Sequence, residues 1–182
     1  MTGLTPLLVA RAQTGDLRAL DRLLRELQEP LYRHVCGVLG DDALADDVLQ
    51  DVLLIVARRI GTVREPAWVR AWAFRVANRE AVRASKKARR YQAVIEEAVL
   101  ETADDAADVI EPSELLGQIP QLVDSLPPGA RVVVRLHYID GLSNPEIAEA
   151  LELPLGTVKS RLAYGLRLLR ERSGSQESIV DA

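Results

Sequence analysis

Cysteine is almost missing from this 182-residue sequence: the single thiol, Cys36, excludes an intramolecular disulfide and leaves too few sulfurs for a cysteine-based zinc site. A buried thiol is the expected fate. Histidine is as scarce, and His34 and His137 lack a ligand-spaced partner, so both read as packing or surface residues. Aromatics make up 4% of the chain while Leu, Ala, Val and Arg abound, which favours helix over sheet. No apolar run approaches a bilayer span, since the longest covers only residues 52–57. The first ten residues lack the leading positive charge of a signal peptide, so a cytoplasmic protein without membrane insertion is expected. An overall positive charge is missing too. At a formal net charge of −4, any contact with nucleic acid must come from local clustering.

What is present is helical punctuation. Thr5-Pro6 starts a short helix that Gly15 stops, and Asp16 caps a longer one whose stripe is Leu17, Leu20, Leu24 and Leu27. Pro30 is expected to kink or divide that helix, which resumes through Tyr32, Val35 and Val38 and ends at Gly40. A third helix, about residues 42–60, has Leu44, Val48, Val52 and Ile55 on its apolar side. Its other side mixes Asp46, Asp47, Gln50 and Asp51 with Leu53 and Leu54. Two leucines on a solvent face imply a cover, either another helix or a partner. The acids lack the glycine and spacing of a calcium loop, so no metal is expected there.

After a loop over residues 61–65 that includes Arg64, Pro66 opens a helix reaching roughly Arg90. Trp68, Trp72, Arg75, Arg79, Arg83, Lys86 and Arg90 recur at spacings of four and three, so they share one stripe; Ala77, Ala81, Ala84 and Ala88 line the other. A cationic stripe headed by two indoles suits single-stranded or melted DNA, with arginines on phosphates and aromatics stacked on bases. Trp72 reads equally well as core. Beyond Arg90 no lysine or arginine occurs until Arg131, while acids accumulate from Glu96 to Glu114, the composition of a mobile linker.

The segment from Leu142 to Arg170 organises the rest. Ser143 and Glu146 form a capping box with Pro145 in the first turn, so a helix starts at Asn144 and buries Ile147, Ala148 and Leu151. A turn over residues 152–154 follows. A second helix then places Leu155, Val158, Leu162, Leu166 and Leu169 on a buried stripe, opposite Gly156, Thr157, Ser160, Ala163, Tyr164 and Arg167, with Lys159 and Arg161 flanking. That small, polar, cationic face suits a duplex groove: donors reach base edges and flanking cations meet phosphates.

Residues 126–131 with Arg131, then Leu142-Ser143 with Glu146-Ile147-Ala148, then the run from Gly156 to Leu162, resemble the fourth conserved region of extracytoplasmic-function sigma factors, small promoter-recognition subunits of bacterial RNA polymerase. The run from Ala45 to Asp51 resembles the family's second region. The series Trp72, Val76-Ala77 and Asn78 resembles its minus-ten recognition and melting segment. The resemblance covers about residues 5–172.

It implies an all-α fold of two small helical domains joined by a flexible acidic linker: residues 1–92 for core polymerase and the minus-ten element, 93–112 as linker, 113–172 for the minus-thirty-five element, and 173–182 as a disordered tail. Asp46, Asp47, Gln50, Asp51 and Leu54 are the implied polymerase contacts, on the largest-subunit clamp, with the flap as a second docking point. Arg64, Trp68, Trp72, Arg75, Asn78, Arg79, Arg83 and Lys86 are the implied minus-ten contacts, the preceding loop capturing a flipped-out base. Arg131, Asn144, Gly156, Thr157, Lys159, Ser160, Arg161, Tyr164 and Arg167 are the implied minus-thirty-five contacts. The linker is expected to thread the cationic RNA exit path. An anti-sigma factor is the expected regulator, and neither cofactor nor enzymatic activity is implied.

The chain departs from the family pattern in two places. Val82 and Ser85 stand where relatives usually carry Asp and Arg, and Tyr164-Gly165-Leu166 replaces a usual Arg-Ala-Arg step. A one-component helix-turn-helix repressor remains the alternative, although it leaves the acidic face and the Trp-Arg helix without a job. An enzyme ranks last, since no activated nucleophile or complete metal shell is evident.

Overall fold

The computed structural model describes residues 4–98, 123 and 125–180, all of them helical or in turns with no strand among the described residues. Helix α1 is Pro6–Gln13, capped by Thr5, whose Oγ1 accepts from the Leu8 amide at 3.2 Å. Helix α2 is Leu17–Leu39, capped by Asp16 and closed by Gly40 at φ 70°, a left-handed turn that glycine enters without steric cost. Pro30 does not divide α2. Its missing N–H leaves one carbonyl without an intrahelical donor, yet the fully buried Leu27 and Leu31 on either side hold the helix together.

Helix α3 is Asp42–Arg59, with Asp42 in its first turn and Arg58 and Arg59 in its last, both favourable to the helix dipole. Its buried face is Ala45, Val48, Leu49, Val52 and Val56, rotated from the expected stripe so that Leu44 and Ile55 flank it. A 3-10 turn, Pro66–Trp68, leads into α4, Val69–Ala98, which runs eight residues beyond the expected end at Arg90. The first six residues assigned to the linker are therefore helical. The rest of the linker and its boundary with the second domain at residues 112 and 113 lie outside the described residues.

Helix α5 is Pro128–Val134 and continues as a π-turn, Arg135–Ile139, in which the Asp140 amide donates to the Arg135 carbonyl at 3.0 Å. Helix α6 is Asn144–Leu151, and the capping box is present: the Glu146 carboxylate accepts from the Ser143 amide at 2.7 Å. Glu152 takes the left-handed conformation at φ 54° to end α6. Helix α7 is Leu155–Val180, so the expected tail from 173 continues the helix.

Helices α2, α3 and α4 pack on one another with α1 across one end; α5, α6 and α7 form the helix-turn-helix unit. One hydrophobic core runs through both groups, because α4 also packs against α6. Phe74, with no exposed surface, is its largest fully buried side chain.

Candidate nucleic-acid and polymerase interface

Burying one face of α3 leaves its other face in solvent. Asp46, Asp47, Gln50 and Asp51 are all exposed, and Leu54 is 45% exposed beside them, while Leu53 is half-buried against the core. Of the two leucines expected to need a cover, only Leu54 lacks one. A groove of about 720 Å³ separates α3 from α4, with Asp47 and Asp51 on one wall and Arg83 and Lys87 on the other. The acidic rim and the cationic stripe are therefore neighbours.

On α4 the small residues Ala73, Ala77 and Ala81 are buried and let the helix lie close to the bundle. The opposite stripe divides. Arg79, Arg83 and Lys86 are exposed, as is Arg64 in the loop before the helix. Trp68 is 39% exposed on its 3-10 turn, whereas Trp72 is half-buried against the core. Arg75 is half-buried, with its Nη1 donating to Oε1 of Glu149 on α6 at 2.5 Å.

Asn78 turns inward. It is half-buried beside the ring of His34, which is 4% exposed, meets Phe74 edge-on at 5.4 Å and keeps its Nε2 shielded without a hydrogen-bond partner. Burial, assisted by the nearby Arg135 charge, pushes the His34 pKa down to about 4 against the smaller opposing influence of the Asn78 amide, so this imidazole is neutral.

On α7, Val158 and Leu162 are buried and Leu166 and Leu169 pack beside them, but Leu155, at the helix start, is 41% exposed rather than inside. Gly156, Lys159, Ser160, Tyr164 and Arg167 are exposed; Thr157 and Arg161 are half-buried. The Ser160 hydroxyl donates to the Thr157 carbonyl at 3.0 Å. The Arg167 guanidinium sits 5.3 Å from the centre of the Tyr164 ring, a cation-π pair on the exposed face of α7. Arg161 lies over Gly129 at the start of α5.

Two implied duplex contacts are otherwise engaged or placed. Arg131 donates through Nε and Nη2 to the Leu126 carbonyl at 3.1 and 2.9 Å, fixing the turn before α5. Asn144 is half-buried at the first position of α6, its Oδ1 shielded without a hydrogen-bond partner.

Asp140 follows the π-turn, and its side chain is 2% exposed and pairs with Arg33 of α2 at 3.3 Å. Burial raises its pKa above the ordinary carboxylate value, against the pull of Arg33, Arg70 and Arg135. No sequence signal separates such an aspartate from a solvated one. Among the described residues no group of three or more His, Cys, Asp or Glu is placed to hold a metal, and no helix is long and apolar enough to cross a membrane.

Residues 23–91 match the Sigma-70 region 2 family and residues 116–169 match Sigma-70, region 4. The chain is 28% identical over 166 residues to the RNA polymerase sigma-H factor of Pseudomonas aeruginosa, covering 85% of this chain and 86% of that protein. It is 30% identical over 174 residues to the ECF RNA polymerase sigma factor SigL of Mycobacterium tuberculosis, covering 89% and 93%. Among solved structures, CnrH in complex with the cytosolic domain of CnrY superposes with a TM-score of 0.67 at 21% identity, covering 94% of this chain and 98% of that one. RpoE in complex with the anti-sigma factor NepR from Bartonella quintana gives 0.64 at 18% identity, covering 83% and 94%. The matched regions span both the Trp-Arg helix and the helix-turn-helix, the part that a repressor would leave without a role included. A region 2 followed by a region 4, in a chain nearly coextensive with SigL, places this protein in the ECF family of RNA polymerase sigma factors.

Proposed function

We propose that this sigma factor docks on the clamp of core RNA polymerase through the solvent face of α3, holds the melted minus-ten element along α4, and reads the minus-thirty-five element with α7. The observation that carries the reading is the α3 face. Asp46, Asp47, Gln50, Asp51 and Leu54 stay in solvent although α3 is packed on its other side, and an exposed leucine ringed by acids is the composition of a docking patch, not of a solvated helix back.

Arg79, Arg83 and Lys86 supply phosphate neutralisation, and Trp68 is free to stack on an unpaired base. On α7, Lys159 meets phosphate while Ser160, Tyr164 and Arg167 face the groove. Asn78, half-buried beside His34, packs at the α2–α4 contact, and Arg131 acts by fixing the α5 turn. Binding gives promoter selection without covalent chemistry. An anti-sigma factor that covers the α3 face or the exposed α4 cations is the regulator this arrangement admits, as the solved relatives' own partners suggest by analogy.

Run-off transcription with purified core enzyme on a randomised promoter library tests the reading. Enrichment of two sequence blocks, separated by a fixed spacer, is expected. Transcription without enrichment at either block would sink the assignment of α4 and α7.

A further inference from the structure

The side chain of Gln13, at the C-terminal end of α1, ties down a loop that lies far from it in sequence. Its Nε2 donates to the Ile60 carbonyl at 3.0 Å and to the Val63 carbonyl at 2.7 Å, contacts that span 47 and 50 positions. Both hydrogens of one amide are thus engaged by the segment that joins α3 to α4. The Ile60 carbonyl also accepts from the Val63 amide at 3.2 Å, closing a 3-10 turn over Ile60–Thr62, and the Thr62 hydroxyl donates to the Arg59 carbonyl at 2.7 Å. Gln13 is half-buried on a helix that is itself held. Leu8, Val9 and Ala12 of α1 are buried, and Asp16 fixes the turn that follows by accepting from Arg11 at 2.6 Å while capping α2.

What this tie holds in place is the approach to α4. Beyond Val63 come Arg64 and Glu65, both exposed, and then the Pro66–Trp68 turn, in which the Trp68 amide donates to the Glu65 carbonyl at 2.9 Å. Helix α1 packs against both 3-10 turns, so it braces the chain on either side of Arg64. Arg64 and Trp68 therefore project from a fixed backbone although both are exposed. A side chain presented in this way binds more tightly than the same side chain on a loose loop, because the ordering is complete before the ligand arrives. The residues matched to region 2 begin at 23, so neither α1 nor Gln13 takes part in that match. Their role has to be read from their contacts.

We propose that Gln13 is a positioning residue for unpaired-strand binding: its amide fixes the loop so that Arg64 and Trp68 meet the melted minus-ten element in a set geometry. The DNA half rests on the promoter reading above; the bracing of the loop does not. Gln13 itself touches no nucleotide. Its substitution is therefore coupled to the bases that Arg64 and Trp68 reach, and to no others.

Gln13→Leu removes the donor at similar volume, and Gln13→Glu keeps the shape but sets a carboxylate against two carbonyl oxygens. Amide hydrogen exchange on the full-length chain reads the bracing. Exchange at residues 61–65 should quicken at least about tenfold in both variants, with exchange in α2 and α4 and affinity for core polymerase unchanged. Unchanged exchange at 61–65 overturns the proposal, and so does a rise spread equally over α2 and α4, which would make Gln13 a general stabiliser. The DNA half is read on a promoter selected by run-off transcription with core enzyme, its non-template minus-ten bases replaced one at a time by abasic sites. In the parent at least one replacement should weaken open-complex formation about tenfold, and in Gln13→Leu that penalty should shrink to about twofold while the others stand. Equal penalties in parent and variant overturn the positioning role. A parent indifferent to every abasic site refutes the promoter reading of Arg64 and Trp68 and with it the DNA half, while exchange at 61–65 still decides the bracing.

Discussion

A Cβ built on Gly165 of α7 would lie 2.7 Å from Cγ2 of Val134 in α5, and Val134 is fully buried. Glycine is thus what lets the recognition helix rest on α5. Helix propensity alone would make Gly165→Ala stabilising by about 1 kcal/mol. Forcing a methyl against a buried valine costs about 1–3 kcal/mol and shifts α7. Overpacking should win, lowering the thermal midpoint and weakening duplex binding together. A midpoint that rises in Gly165→Ala would show that α5 yields and that the close approach is incidental.

Asp47 and Gln50 are exposed on α3, and neither takes part in an ion pair among the described residues. Surface changes of this kind move stability by no more than about 0.5 kcal/mol. Asp47→Ala with Gln50→Ala should therefore leave the urea midpoint in place while core polymerase affinity falls about tenfold or more, as expected of residues at the centre of an interface. Titration of labelled chain with core enzyme decides it. Equal affinities would remove these two residues from the docking patch.

Much of this was legible because it is local. The Thr5 and Asp16 caps, the Gly40 stop and the Ser143-Glu146 box each involve atoms within four residues, and sequence spacing fixes them. The exposed face of α7, with Lys159, Ser160, Tyr164 and Arg167, follows from helical period for the same reason. Pro30 misleads because local chemistry says break while the leucine contacts on both sides, which are tertiary, say continue. The buried face of α3 turned because the bundle, not the helix, chooses which of two apolar faces to cover. Arg33 and Asp140 stand 107 positions apart and Arg75 and Glu149 stand 74 apart, so no window of sequence could pair them. The second of these pairs is what engages Arg75, an expected minus-ten contact, with α6.

Lys159 and Arg161 flank the proposed duplex-reading face of α7 but differ in their surroundings. Lys159 is exposed, so Lys159→Ala should lower duplex affinity and flatten the slope of log affinity against log salt by about 0.9, the contribution of one phosphate. Arg161 is half-buried over Gly129, so part of its guanidinium already serves the α5 contact. Arg161→Ala should therefore flatten the slope less while lowering the thermal midpoint more. Binding isotherms at several salt concentrations separate the two. A larger slope change for Arg161 than for Lys159 would reverse the assignment of which side chain meets the backbone.

His34 makes the fold acid-sensitive over a defined interval. In the unfolded chain its imidazole takes a proton near its ordinary value of 6.5, whereas burial and the Arg135 charge hold the folded value down to about 4. Its contribution is therefore fully present above pH 6.5, is lost progressively as pH falls because the unfolded state binds the proton first, and levels off below about 4. The difference between 6.5 and about 4 corresponds to roughly 3 kcal/mol at most. Asp140 works with the opposite sign: its raised pKa means that protonation relieves a buried charge, so it gains stability as pH falls toward the carboxylate range. Raw pH profiles mix the two, and a parent-minus-variant comparison separates them. Urea midpoints at pH 7, 5.5 and 4.5 for the parent and for His34→Gln should converge as pH drops, because only the parent loses the histidine contribution. Parallel profiles would mean that His34 is protonated in the folded chain or reaches water, and that its place between Phe74 and Asn78 is not the sealed one described.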